Sequence, residues 1–258
     1  MSKLKTISVV PTSKYHWVRD KVDNRDYIYK PSAKVQNTTI DLRPYCSAIE
    51  DQGNLGSCTG NAIAGAIELL NKRNKKANDI SRLFIYYYER LIENTINFDS
   101  GAYIRDGIKS CYTYGAPLEN YWPYDITKYK IKPNNNAILD ARKRKVTLYE
   151  RVKDHAGCLD AINNGYPVTI GFDVYSSFET SIVENTGMMP FPNISKERLL
   201  GGHAVLLVGY DKARQYYIAR NSWGANWGDR GYFYMPFRVI TTPGMSSDFW
   251  IIKSVNNP

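Results

Sequence analysis

A chain of 258 residues with 43% hydrophobic side chains has material for one large domain or for two lobes sharing a core, and its 21 tyrosines argue against intrinsic disorder. Its net charge is +9, from 34 Lys and Arg against 25 Asp and Glu, and it gathers in Lys72-Arg73-Asn74-Lys75-Lys76 and Arg142-Lys143-Arg144-Lys145. Neither run is interleaved with stacking aromatics, so both read as solvated helix ends rather than a nucleic-acid surface, and no stretch approaches the roughly 20 apolar residues of a membrane span.

Residues 1–39 read as an extension without sustained periodicity. Its broken apolar stretch, Ile7, Val9 and Val10 halted by Pro11, is too short for a signal-peptide core. The expectation is a soluble chain, intracellular or packaged rather than classically secreted. From residue 40 the texture changes, and 40–258 reads as the main domain. Asp51-Gln52-Gly53-Asn54-Leu55-Gly56-Ser57 is a loop by its glycines and short polar residues. It runs straight into a helix over residues 58–70, where Ile63, Ile67 and Leu70 recur at helical spacing. Ser81 caps a second helix with Leu83, Tyr87 and Leu91 on one side, and a third spans residues 103–114, ended by Gly115-Ala116-Pro117. The second half changes character: residues 168–172, 203–210, 215–219, 231–235 and 249–253 read as strands separated by Gly, Asn and Asp turns. Helices first and strands second imply an α+β protein with two lobes.

The cysteines at 46, 58, 111 and 158 include no CxxC pair, and no His or Cys falls at zinc-ligand spacing, so no metal or cofactor is expected. With one thiol set aside for catalysis three remain, and buried free thiols are the expected state. Cys58 sits where a glycine-rich loop becomes a helix, and the unpaired N–H groups there favour a thiolate. The position would equally suit a small hydrophobe opening a buried helix. Gln52, six residues upstream, tips the balance: its amide and the Cys58 N–H together offer two donors to a developing oxyanion. Of the three histidines, His16 lies in the extension and His155 reads as a surface or capping residue. His203 opens the apolar run Ala204-Val205-Leu206-Leu207-Val208, with Gly202 before it leaving room for a substrate. Arg220-Asn221-Ser222-Trp223-Gly224-Ala225-Asn226-Trp227-Gly228 then supplies an Asn whose neutral side chain can accept from an imidazole N–H and fix the ring.

Over residues 40–254 these segments resemble the papain and cathepsin family of cysteine peptidases, whose Gln-Gly…Gly-Ser-Cys and Asn-Ser-Trp-Gly…Trp-Gly runs stand here as Gln52 to Cys58 and Asn221 to Gly228. The resemblance implies a two-lobe fold, with a helical N-terminal lobe, an antiparallel β-barrel-like C-terminal lobe and the active site in the cleft between them. It also implies the roles: Cys58 the nucleophile, His203 the base, Asn221 its orienter, Gln52 the oxyanion donor and Trp223 a cover over the histidine's hydrogen bond. Asp99-Ser100-Gly101 resembles the substrate wall, with Gly101 holding an extended peptide by its backbone. Gly244-Met245-Ser246-Ser247-Asp248 aligns with the floor of the S2 pocket, where Asp248 would favour a basic residue second before the scissile bond. Leu55 and Thr59 depart from the family, which has Cys and an aromatic residue at those places.

Nothing between Trp122 and Val146 resembles the His-containing occluding loop of dipeptide-releasing relatives, so endopeptidase action on protein or peptide substrates is expected, by a monomer with no nucleic-acid or membrane partner. Residues 1–39 would be either a reduced pro-segment across the groove or a permanent decoration of the lobes. A catalytically silent papain-like binding protein and an acyl-transferring relative of transglutaminase or ligase type are the alternatives.

Overall fold

The computed structural model describes residues 14–32 and 37–256. In chain order the strands are β1 (Trp17–Val18), β2 (Thr39–Asp41), β3 (Ala102–Tyr103), β4 (Val146–Arg151), β5 (Val168–Tyr175), β6 (Leu199–Asp211), β7 (Tyr216–Arg220), β8 (Tyr232–Pro236) and β9 (Ser246–Val255). The helices are α1 (Cys58–Arg73), α2 (Arg82–Glu93), α3 (Ile104–Thr113), α4 (Asn135–Ala141), α5 (His155–Asn163), α6 (Ser181–Thr186) and α7 (Phe237–Thr241).

Every residue of α1 from Cys58 to Asn71 is buried, which makes it the central helix rather than a surface one. Small residues make that possible: Gly60 lies against the backbone of α2, and Gly65 faces Arg220 and Leu206 of the sheet. Lys72 and Arg73 close its last turn, where cations suit the helix dipole. Ser81 does cap α2, its hydroxyl accepting from the Phe84 N–H at 3.2 Å. A separate apolar cluster of Leu83, Phe84, Tyr86, Tyr87, Tyr88, Trp122, Ala137 and Ala141 binds α2 and α4 to the segment between them. The second basic run is only partly solvated, because Arg144 is buried with its guanidinium 2.7 Å from Asp140.

The sheet runs β4-β9-β5-β6-β7-β8, with every neighbour antiparallel. β4 and β8 are its edges, so among the described residues the expected barrel does not close; the lobe is an open, bent sheet. The bend lies in β6, whose 13 residues pair with β5 through Leu207 and with β2 beyond it, while a register shift between Leu207 and Gly209 turns the partnership with β7. α1 packs on β6, and one core of Trp250, Tyr210, Tyr217, Phe172, Phe178 and Phe233 fills the space around them. The strands expected in the second half are all present, as are the first three helices; β4 and α4 to α7 are short elements with no sustained period. His155 opens α5, but Asp154 is its cap, and the His155 ring is drawn inward, with Nδ1 2.8 Å from the Tyr217 hydroxyl.

The described part of the extension is packed onto this body. Trp17 and Tyr29 are buried, and the Tyr29 hydroxyl donates to Asp160 at 2.6 Å. β1 pairs in parallel with β3 as a second, two-stranded sheet on the helical side of the cleft. All four cysteines are buried free thiols.

Candidate active site

The loop before α1 is bent tightly by residues that chemistry selects for bending. Gly53 has φ +59, its N–H donates to Asp51 Oδ1 at 2.8 Å, and the Ser57 N–H donates to the Leu55 carbonyl at 2.8 Å. Tyr124 braces both ends of the loop, donating its hydroxyl to the Gln52 carbonyl at 2.9 Å and meeting Ser57 Oγ at 2.5 Å. Gln52 is fully buried and its amide is fixed on both sides. Oε1 accepts from the Ser222 hydroxyl at 2.7 Å, while Nε2 donates to the Leu55 carbonyl at 2.9 Å and to the Lys14 carbonyl at 3.3 Å. Ser222 and Tyr124 carry no signal in the sequence beyond their place beside recognisable residues.

Across the cleft, His203 is held by β6 and fully buried. Its Nε2 lies 2.8 Å from Asn221 Oδ1, and the Ser222 N–H fixes the same oxygen at 2.9 Å. Trp223 stacks on the imidazole with ring centroids 5.0 Å apart and planes 28° from parallel. Nδ1 is buried and has no hydrogen-bond partner among the described residues. The next residue, Ala204, hydrogen-bonds the Cys58 sulfur through its backbone, which joins the histidine strand to the thiol. Gln52, Cys58, His203, Asn221 and Trp223 therefore converge on one place from both lobes.

Residues 14–20 fill the cleft between them. His16 pairs in parallel with Gly202, and its backbone also hydrogen-bonds the Cys58 sulfur. The His16 carbonyl lies so close over Gly101 that any side chain there would overlap it, and Gly101 has φ +68 besides. The Trp17 indole covers Gly171 and Gly202 of the sheet, and Arg19 reaches Asp173 at 2.8 Å and the Gly244 carbonyl at 2.6 Å. Asp248 is not an open carboxylate: one oxygen takes Arg151 at 2.8 Å and the other accepts from the Asp20 N–H at 2.7 Å. Gly101, Gly202 and Trp223 line the occupied cleft, and Asp248 meets the segment at Asp20.

Enclosure sets the protonation of the pair. Burial pushes the Cys58 thiol up to about 12, against the backbone hydrogen bonds from Ala204 and His16. Burial likewise pushes His203 down to about 4, with Asn221 opposing and the Lys14 charge adding. In this state both groups are neutral at pH 7. Thr59, where the family has an aromatic ring, donates its hydroxyl to the fully buried Glu89 at 2.5 Å. Burial pushes that carboxyl well above its usual range, with the Thr59 hydrogen bond opposing.

A polar cluster anchors the segment behind the thiol. The Asp20 carboxylate accepts from Trp250 Nε1 at 2.7 Å and the Arg105 N–H at 3.2 Å, and Arg105 and Arg151 also pair with Asp26. Burial first, and then the neighbouring Asp248, push Asp20 up from the usual carboxylate range. A raised carboxyl favours the docked state when protonated, so docking weakens as pH rises through the interval between the free and docked values. Docking also holds His203 low, which pulls the other way over an overlapping interval, so the Asp20 contribution is read by difference. Relative to the intact chain, Asp20→Asn should lose protection from limited proteolysis at mildly acidic more than at neutral pH, and parallel pH profiles for the two proteins would contradict the assignment.

The sequence model of the family described as papain family cysteine protease matches residues 36–251. An uncharacterized peptidase C1-like protein of Acanthamoeba polyphaga mimivirus is 38% identical over 276 aligned positions, covering 95% of this chain and 88% of its own. A cathepsin L-like proteinase of Fasciola hepatica is 27% identical over 80% of this chain, which spans 62% of that relative's length. Among solved structures, xylellain, a cysteine protease from Xylella fastidiosa, superposes with a TM-score of 0.87 at 38% identity, over 97% of this chain and 99% of that one.

Proposed function

The chain belongs to the papain family of cysteine proteases, and on that premise we propose that it is an endopeptidase held latent by its own residues 14–20. The observation that carries the reading is the Lys14 carbonyl at Gln52 Nε2, a peptide oxygen already resting on the donor that an oxyanion would use. Once the segment leaves, the His203 Nδ1, unbonded within the cleft, takes the proton of the Cys58 thiol. The thiolate attacks a substrate carbonyl carbon, and Gln52 Nε2 with the Cys58 N–H holds the oxygen as it gains charge. His203 returns its proton to the departing amine. A water deprotonated by the same ring then cleaves the thioester, releasing the acid and the free thiol. Asn221 keeps the ring turned throughout, Gly202 holds the substrate strand by its backbone as it now pairs with His16, and Gly101 leaves room for it on the other wall.

The direction of the segment accounts for its survival. It pairs in parallel with both walls, and it turns the His16 backbone N–H, rather than a carbonyl carbon, toward the sulfur. Neither the silent nor the amine-transferring reading draws support from a feature of its own. Labelling with an epoxide inhibitor of the papain family, with Cys58→Ala as control, tests the proposal, and a folded, unblocked protein that takes no label would refute it. Gln52→Ala should lower turnover on the order of 10²-fold, since the Cys58 N–H remains as second donor. An effect confined to substrate binding would remove Gln52 from the oxyanion role.

A further inference from the structure

The far end of the blocked cleft already holds a cation. The Lys14 ammonium lies 3.6 Å from the centroid of a Trp223 ring, closer than the other lysine–aromatic contacts of this face, and 5.8 Å from the Tyr15 ring. Burial pulls the ammonium down from its ordinary value, and three carboxylates from separate elements oppose it: Glu179 after β5, Asp51 of the loop before α1 and Glu184 of α6. Glu179 is partly engaged by the Tyr15 hydroxyl, whereas the Glu184 side chain has solvent on one side. A cavity lined by Lys14, Asp51, Asn54, Glu184, Trp223 and Trp227 continues past the ammonium. An aromatic face with a carboxylate frame is the chemistry that selects a basic side chain, and a partly desolvated cation gains most from it.

Its position assigns the seat to one side of the reaction. His16 touches the thiol; Tyr15 and Lys14 lie beyond it, over the His203 and Trp223 rings. His203 must protonate the departing amine, so the amine leaves on the histidine's side of Cys58, which is the Lys14 side. We propose that Trp223, Asp51 and Glu184 form a specificity site for a lysine or arginine in the first two residues after the scissile bond. The inference rests on the peptidase reading for its meaning, but the seat itself does not depend on turnover. Lys14 thus imitates a substrate side chain in its seat while the backbone it hangs on runs the wrong way.

Two measurements on the full chain decide it. The first needs no catalysis: Cys58 alkylation reports how often the segment lifts. Lys14→Ala should raise that rate roughly 3- to 10-fold, the effect of one cation–π contact with charge support, and Lys14→Arg should restore it. Adding Glu184→Gln to Lys14→Ala should change little, because the two act on one interaction. Additive effects, or no effect of Lys14→Ala, would overturn the seat. The second uses Trp17→Ala protein, in which the segment is loosened. Internally quenched peptides with Lys after the scissile bond should be cut several-fold faster than those with Leu, and faster still than those with Glu. Glu184→Gln should shrink the difference, and so should added salt. Equal rates for the three peptides would overturn the specificity, while a coumarin amide with nothing but the dye after the bond checks turnover itself. Loss of the coumarin signal too would sink the peptidase reading instead, leaving the alkylation result to decide the seat.

Discussion

His203→Ala is expected to lower turnover by about 10⁴-fold in unblocked protein, the largest effect of any substitution considered. The reason lies in what else is near. The ring is fully buried and its Nε2 is spoken for by Asn221 at 2.8 Å, which leaves Nδ1, without a hydrogen-bond partner among the described residues, as the nitrogen to which the proposed mechanism gives the thiol proton. Neither of the other histidines can substitute. His155, at the start of α5, is tied to Tyr217 of β7, and His16 belongs to the segment proposed to leave. The change removes buried volume from β6 but leaves no charged partner stranded, since Asn221 is neutral and the Ser222 N–H still satisfies it. The comparison to make is kcat/KM for one peptide in Trp17→Ala protein with and without the histidine. A deficit of less than ten-fold would mean that some other group takes the proton.

Trp17→Ala should raise the rate of Cys58 alkylation in the otherwise intact chain on the order of 10³-fold. Truncating a buried Trp costs about 3–5 kcal/mol, and most of that falls on docking of the segment because the indole is its main apolar anchor over Gly171 and Gly202. Two effects multiply. The sulfur becomes reachable, and water returning to the cleft removes the burial that holds the thiol near 12 and the imidazole near 4. As the thiol falls and the imidazole rises, the neutral pair can become thiolate and imidazolium. The pH profile of alkylation should therefore move to lower pH as well as upward. An increase in rate with an unmoved profile would mean that the segment limits access alone.

How much of this was legible beforehand depended on whether a residue's task is set by its own chemistry or by distant packing. Gln52, Cys58, His203 and Asn221 stand out in the sequence because few other residue types donate, attack, accept a proton or orient a ring from those places. Ser222 and Tyr124 hold the amide and the loop, yet a serine or tyrosine hydroxyl can serve anywhere, and only the fold brings them there. The role of Trp17 was invisible for the same reason: its partners are strand glycines in the other half of the chain, and a glycine in a strand announces a close approach without naming what approaches. Asp248 could be aligned with a pocket floor, but the half-buried Arg151 that claims it could not. The alternation that revealed the strands says which side of each faces inward and nothing of whether the outer strands meet, so an open sheet and a barrel read alike.

The four buried thiols, none of them in a disulfide, give the molecule a built-in counter of its own state. Cys46, Cys111 and Cys158 are held high by burial in the core rather than by the segment, so a mild thiol reagent meets none of them while the fold stands. Mass spectrometry of the treated protein then reads zero additions for the closed chain, one for the opened chain and four for the unfolded chain, resolving release from denaturation in a single spectrum.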